Sequence, residues 1–228
     1  MMAAPSLAEI DRQLTTYALI DLDALAHNVR TIRERIGPSV EMFAVVKANA
    51  YGHGAVPVAQ TALASGATRL AVARTDEGVE LRRAGLTAPI LIMTYTLPAE
   101  AEQIVAHDLT ATVNTIEGAE AIAHQARAMG KTASVHIKVE TGMGRYGLLP
   151  EELVPFLNHV RALPGLELEG IFTHFAVADS ADKSYTRDQF ARFQAALSEA
   201  EQAGFRFPIR HAATSAATLD LPDTNLDA

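Results

Sequence analysis

Met42-Phe43-Ala44-Val45-Val46-Lys47-Ala48-Asn49-Ala50-Tyr51-Gly52-His53-Gly54 decides the fold of this chain. Its apolar start, ending on two β-branched valines, reads as a strand buried on both faces, as strands of a parallel sheet are. The turn that follows separates two α/β architectures. An open doubly wound sheet carries a G-x-G-x-x-G turn after its first strand. Here a lysine follows at once, and the glycines arrive only at positions 52 and 54. That is not the dinucleotide fingerprint, so the stretch favours a barrel. Lys47 is itself a signal. An ammonium at the end of an apolar strand loses hydration unless it finds a partner. It can snorkel to solvent. At the C-terminal end of a barrel strand it instead faces the pocket, where an amine can attack an aldehyde.

Working outward, the same theme recurs. Leu70–Ala73, Pro89–Met93, Ala111–Val113, Ser134–Glu140, Leu168–Phe175 and Phe207–His211 are further strand-like runs. Segments of helical spacing lie between them. Leu25, Val29, Ile32 and Ile36 fall on one face, with Asp23 as expected N-cap. Asn114 and Glu117 have the spacing of a capping box. Pro150-Glu151-Glu152 suits a helix first turn, Gly165 closes the segment behind it, and a long helix is expected over Tyr185–Ala203. This alternation predicts an α/β fold, a (β/α)8 TIM-type barrel in one domain over residues 1–228. About seven barrel strands are visible, so the barrel is expected to stop before its eighth strand. Tyr17–Ile20 reads as a further strand outside that rhythm.

Composition narrows the function. Of the 228 residues, 49% are hydrophobic, enough for a large core. The net charge of −8 argues against a nucleic-acid or anionic-membrane binder. No cysteine is present, which removes disulfides, thiolate catalysis and cysteine zinc sites. The histidines form no His-x-x-x-His pair, so no metal site is expected. No run reaches the ~20 apolar residues of a membrane span, and Met1–Leu14 lacks an apolar signal-peptide stretch. A cytoplasmic location is expected.

Three further blocks carry polar chemistry at strand ends. They are Lys138-Val139-Glu140-Thr141-Gly142-Met143-Gly144-Arg145-Tyr146-Gly147, Phe172-Thr173-His174-Phe175, and His211-Ala212-Ala213-Thr214-Ser215. Taken singly, Arg145 reads as a solvated loop arginine, His174 as structural, and the last block as a turn. Together with Val46–Gly54 they resemble, in order, the signature segments of alanine racemases, barrel enzymes that use pyridoxal 5′-phosphate. The resemblance runs from about Tyr17 to the end of the chain.

That resemblance implies roles. Lys47 holds pyridoxal phosphate as a Schiff base and is one of two catalytic bases. Tyr51 and Ser215 bind its phosphate. Arg145 reaches the cofactor's phenolic oxygen and the substrate carboxylate, and His174 packs on the pyridine ring. Lys138 matches a lysine that is carbamylated in some members, where it positions the arginine. Thr214 stands where asparagine is more usual, and no side-chain role is carried over to it. The implied reaction interconverts L- and D-alanine for peptidoglycan, with a small amino acid as substrate and a homodimer as the full-length assembly. Family members continue into an eighth strand and a C-terminal β domain. That domain supplies the second base, a tyrosine, so this stretch is expected to have little activity alone. The alternatives are a racemase of other or many amino acids and a non-catalytic cofactor-binding barrel. His27, His107, His124, His136 and His159 read as structural.

Overall fold

A computed structural model describes residues 16–228. Its strands are β1 (Phe43–Val45), β2 (Arg69–Val72), β3 (Ile90–Ile92), β4 (Thr110–Val113), β5 (Ala133–Lys138), β6 (Leu166–Phe172) and β7 (Ile209–His211). They form one seven-stranded sheet in the order of the sequence, and every neighbouring pair is parallel. Each expected barrel run produced a strand, shifted by a few residues at its ends.

Period-two alternation gives the sheet two different faces. Leu70, Val72, Ile90, Ile92, Val135, Ile137 and Ile171 belong to the hydrophobic core. Residues one step out of phase, Phe43, Ala71, Leu91, Lys138, Phe172 and His211, line a cavity of about 450 Å³ inside the curled sheet. This is the partition of a barrel, in which lumen and outer layer take alternate residues.

Among the described residues there is no eighth strand. The peptide of Asp227 lies where one would pass. Its carbonyl accepts from Glu41 N–H, just before β1, at 2.8 Å, and its N–H donates to the Arg210 carbonyl of β7 at 3.1 Å. The Asp227 carboxylate also accepts from Arg210 Nε and N, at 2.6 and 2.9 Å. The two sheet edges are thus tied at one point.

Some local expectations need correction. Tyr17–Ile20 forms no strand; Tyr17 and Leu19 are exposed, and no neighbouring strand offers the segment a ladder. The first helix, Leu22–Ile36, is capped by Asp21, whose carboxylate accepts from Ala24 N–H. Asp23 sits inside the first turn, where its charge complements the helix dipole. The helix Ile116–Ala128 is capped by Thr115 through Gly118 N–H, one residue after the expected Asn114. The long helix spans Ser184–Gln202. No helix among the described residues is long and apolar enough to cross a membrane.

Candidate active site

Val46 continues the β1 pairing, its N–H donating to the Ala71 carbonyl at 2.9 Å. The chain then turns the wrong way for L-residues. Ala48, Asn49, Ala50 and Tyr51 all have left-handed backbones, with φ of 50, 55, 51 and 56°. Left-handed helix costs roughly 1–2 kcal/mol per residue, so the surroundings must hold it. Asn49 Oδ1 accepts from Ala55 N–H at 2.7 Å, and Gly54 N–H donates to the Asn49 carbonyl at 2.9 Å. The turn itself is thus made without glycine. Residues 48–51 make it, and Gly52 and Gly54, at φ of 88 and 93°, lead out of it.

Glu77 fastens this turn to the sheet. Its carboxylate accepts from Ala48 N–H at 2.8 Å, Ala73 N–H at 2.8 Å and Arg74 N–H at 3.0 Å. One side chain thus fixes the residue after Lys47 against the end of β2. Nothing in the sequence distinguished Glu77 from an ordinary first-turn acid of the helix Thr75–Arg83. Glu77→Gln replaces one acceptor oxygen by an N–H₂ that faces backbone donors. Hydrogen exchange at Ala48 is expected to accelerate at least about tenfold, the loss of roughly one charge-assisted bond. Unchanged exchange there would show that the turn holds without Glu77.

The second block folds back on itself. Glu140 N–H donates to the Leu148 carbonyl at 2.8 Å, and Leu148 N–H to the Lys138 carbonyl at 2.9 Å. Glu140 accepts from Gly142 N–H at 2.6 Å and from Arg145 N–H at 3.3 Å. Burial alone would raise the Glu140 pKa, but the backbone donors of Gly142, Gly144 and Arg145 outweigh it and lower it. At Gly147, φ is 133° and a Cβ would lie 3.0 Å from Glu140 N. The return therefore needs glycine for both space and conformation. Tyr185 Oη and Arg192 Nη1, from the long helix, donate to the Gly142 and Thr141 carbonyls at 2.8 and 3.0 Å.

Lys138 is buried, with 1% of its surface exposed, yet no carboxylate among the described residues lies within ion-pair distance of it. Its Nζ donates to the Tyr146 carbonyl and lies 4.1 Å from the Tyr146 ring centroid. Burial, helped by the Arg145 charge and opposed by Glu140, lowers its pKa to about 8. His174 follows β6 and is pushed down to about 4. Burial is the main cause, and the positive charges of Arg145, Lys138 and Lys47 add to it. The imidazole is thus neutral near pH 7. Ser215 opens the helix Ser215–Asp220. Thr214, which departs from the family residue, caps that helix through Ala217 N–H at 3.3 Å.

Lys47, Tyr51, Lys138, Arg145, His174 and Ser215 all line the one lumen cavity. Every site residue expected from the sequence is therefore brought together. Glu77, Tyr146 and His211 are additions. Tyr146 and His211 also line the cavity, and the Tyr146 hydroxyl donates to the Met93 carbonyl.

The family model described as alanine racemase, N-terminal domain, matches residues 20–228. The chain belongs to the alanine racemase N-terminal domain family. The alanine racemase of Desulforamulus reducens is 52% identical over 212 residues, which cover 92% of this chain and 57% of that protein. That of Methanococcus maripaludis is 47% identical with the same coverage. Among solved structures, alanine racemase of Clostridium difficile 630 in complex with cycloserine matches with a TM-score of 0.88 and 40% identity, over 90% of this chain and 57% of that one. Alanine racemase from Bacillus anthracis with bound L-Ala-P gives 0.87 and 43%, over 92% and 54%. The chain thus spans little more than half the length of these alanine racemases.

Alanine racemases depend on pyridoxal 5′-phosphate. The residues present fit that group. The cavity volume lies in the range of small-molecule sites. Lys47, Lys138 and Arg145 line it, and these cations suit an anionic phosphate. Lys47 offers an amine at the strand end.

Proposed function

We propose that this chain is the cofactor-binding barrel of a pyridoxal-phosphate enzyme that racemises alanine. The observation that carries the reading is the convergence of Lys47, Arg145 and His174 on one positive lumen cavity. Lys47 would hold the cofactor covalently through its amine, Tyr51 and Ser215 would bind its phosphate, and neutral His174 would pack on its ring without adding charge. Bound there, the cofactor supplies an electron sink for the pair left at the α-carbon when its proton departs.

The protein's own groups do the rest. The Lys47 amine takes or returns the α-proton on one face of the substrate. The Arg145 guanidinium, always charged and forked, holds the substrate carboxylate. Lys138 positions Arg145. Its lowered pKa makes neutral amine available near pH 8, the form that adds carbon dioxide to give a carbamate and release a proton. An anionic carbamate would then face the Arg145 cation.

Racemisation needs a proton donor on the opposite face as well. By family resemblance this is a tyrosine from the further length that relatives have. The 228-residue chain alone is therefore expected to form D-alanine slowly, lacking one ~10²–10⁴-fold acid–base contribution. The parent enzyme acts in the cytoplasm as a homodimer and supplies D-alanine for peptidoglycan.

Two measurements test the reading. Borohydride reduction in the presence of pyridoxal phosphate, followed by peptide mapping, should place the adduct on Lys47; an adduct on another lysine overturns it. Incubation with cofactor and L-alanine should yield little D-alanine, and rapid formation would contradict the one-base account.

A further inference from the structure

Below the cofactor cavity the barrel core holds a polar chain that the proposed mechanism does not use. It begins with a bulge. Val135 of β5 pairs with Leu168 of β6, but His136 pairs with Gly170, so Glu169 is an extra residue with no partner of its own. Bulges re-aim side chains. Here the bulge lets two successive residues, Glu169 and Gly170, serve the lumen side. Gly170 leaves room for the His136 ring, whose Cε1 would lie 2.5 Å from any Cβ placed there.

Glu169 uses the position fully. Oε1 accepts from Arg69 Nη1 at 2.9 Å, and Oε2 lies 3.1 Å from His136 Nε2. His136 Nδ1 lies 2.9 Å from His211 Nε2. The His211 ring is stacked between Phe43, at 5.1 Å, and Phe172, at 4.7 Å between centroids. Glu41 lies 3.6 Å from Arg69 Nε at the outer end.

Proton placement follows from donor chemistry. A carboxylate only accepts, so His136 Nε2 carries a hydrogen. Glu41 is largely open to water, so among the buried groups Arg69 balances the Glu169 charge, and a cationic His136 would put a net positive charge into the core. His136 is therefore neutral, and its Nδ1 is an acceptor. His211 Nε2 must then donate to it. Burial lowers the pKa of both histidines, which agrees with neutral rings.

We propose that Glu169 is a positioning residue that acts through His136 to fix His211 as the Nε2–H tautomer, leaving His211 Nδ1 as a hydrogen-bond acceptor. His211 lines the cofactor cavity, so its free nitrogen selects an N–H or O–H donor and disfavours a phosphate or carboxylate. This rests on the cofactor-site reading for its function. Its geometry does not require a bound cofactor.

The test is long-range proton–nitrogen NMR of the cofactor-free chain with nitrogen-15 histidine, assigned by His136→Gln and His211→Gln. The expected spectrum shows Nε2–H tautomers at both positions. In Glu169→Gln the amide oxygen should stay on Arg69 and the N–H₂ turn to His136. The relay then reverses, and His211 becomes the Nδ1–H tautomer. A parent chain with Nδ1–H at His211 overturns the proposal, whether or not the variant folds. A folded Glu169→Gln chain with both tautomers unchanged also overturns it. Loss of cofactor binding in the parent would instead count against the proposed function and leave the tautomer result readable.

Discussion

Lys47→Ala is expected to remove the borohydride-trapped pyridoxal phosphate and to slow α-proton exchange by at least ~10²-fold, the lower end for one positioned acid–base group. The measurement uses deuterated water, pyridoxal phosphate and alanine, with the deuterium content of recovered alanine followed over time. Exchange is the informative reaction because a chain with one base can wash out the α-hydrogen on its own face without inverting the centre. Lys47→Arg should fail equally. Its guanidinium keeps the charge but does not deprotonate near neutral pH, so it can be neither amine nucleophile nor base. The comparison separates charge from basicity. The cation–π contact of Lys47 with Tyr51, 5.9 Å to the ring centroid, is too long and exposed to account for such a loss. Exchange at the parent rate in Lys47→Ala would remove Lys47 from the reaction.

Much of the fold is legible in the sequence because parallel strands are buried on both faces and so read as continuous apolar runs. Leu70–Val72 and Ile90–Ile92 contain no polar residue, and all six are at most 1–2% exposed. The candidate site residues are legible for a different reason, since each ends or follows a strand at the barrel mouth. What escapes the sequence is backbone that breaks its own rules. The left-handed turn at Ala48–Tyr51 contains no glycine and is held by Glu77, a residue 29 positions away from Ala48. The β6 bulge is equally silent. An acid within a strand reads as facing solvent, and only the register shift turns Glu169 toward His136. His136, read as structural, thereby becomes the middle of a buried relay, and His211 its cavity end. The cap corrections are smaller. Asp21-Leu22-Asp23 and Asn114-Thr115 each offer two capping residues, and the helix's first turn uses the one whose side chain meets its free N–H.

The second large expected effect concerns Lys138 and pH. Its folded-state pKa of about 8 lies below the ordinary 10.5, because burial disfavours the ammonium. Between those values the unfolded chain binds more protons than the folded one. Stability contributed by this group therefore rises with pH from about 8 to 10.5, and below 8 the penalty is present in full. A displacement of this size corresponds to about 3 kcal/mol, since each pKa unit is worth about 1.4. Urea unfolding of the parent and of Lys138→Met across this window isolates the term, because other tyrosines and lysines cancel in the difference. The parent should gain on the variant as pH rises, and parallel curves would show that the ammonium is not penalised. Carbon dioxide offers another way to remove the buried cation. Bicarbonate at pH 8 should raise the melting temperature of the parent and leave Lys138→Met unchanged. A carbamate replaces an unpaired ammonium by an anion beside Arg145, so modification and stability are expected to rise together.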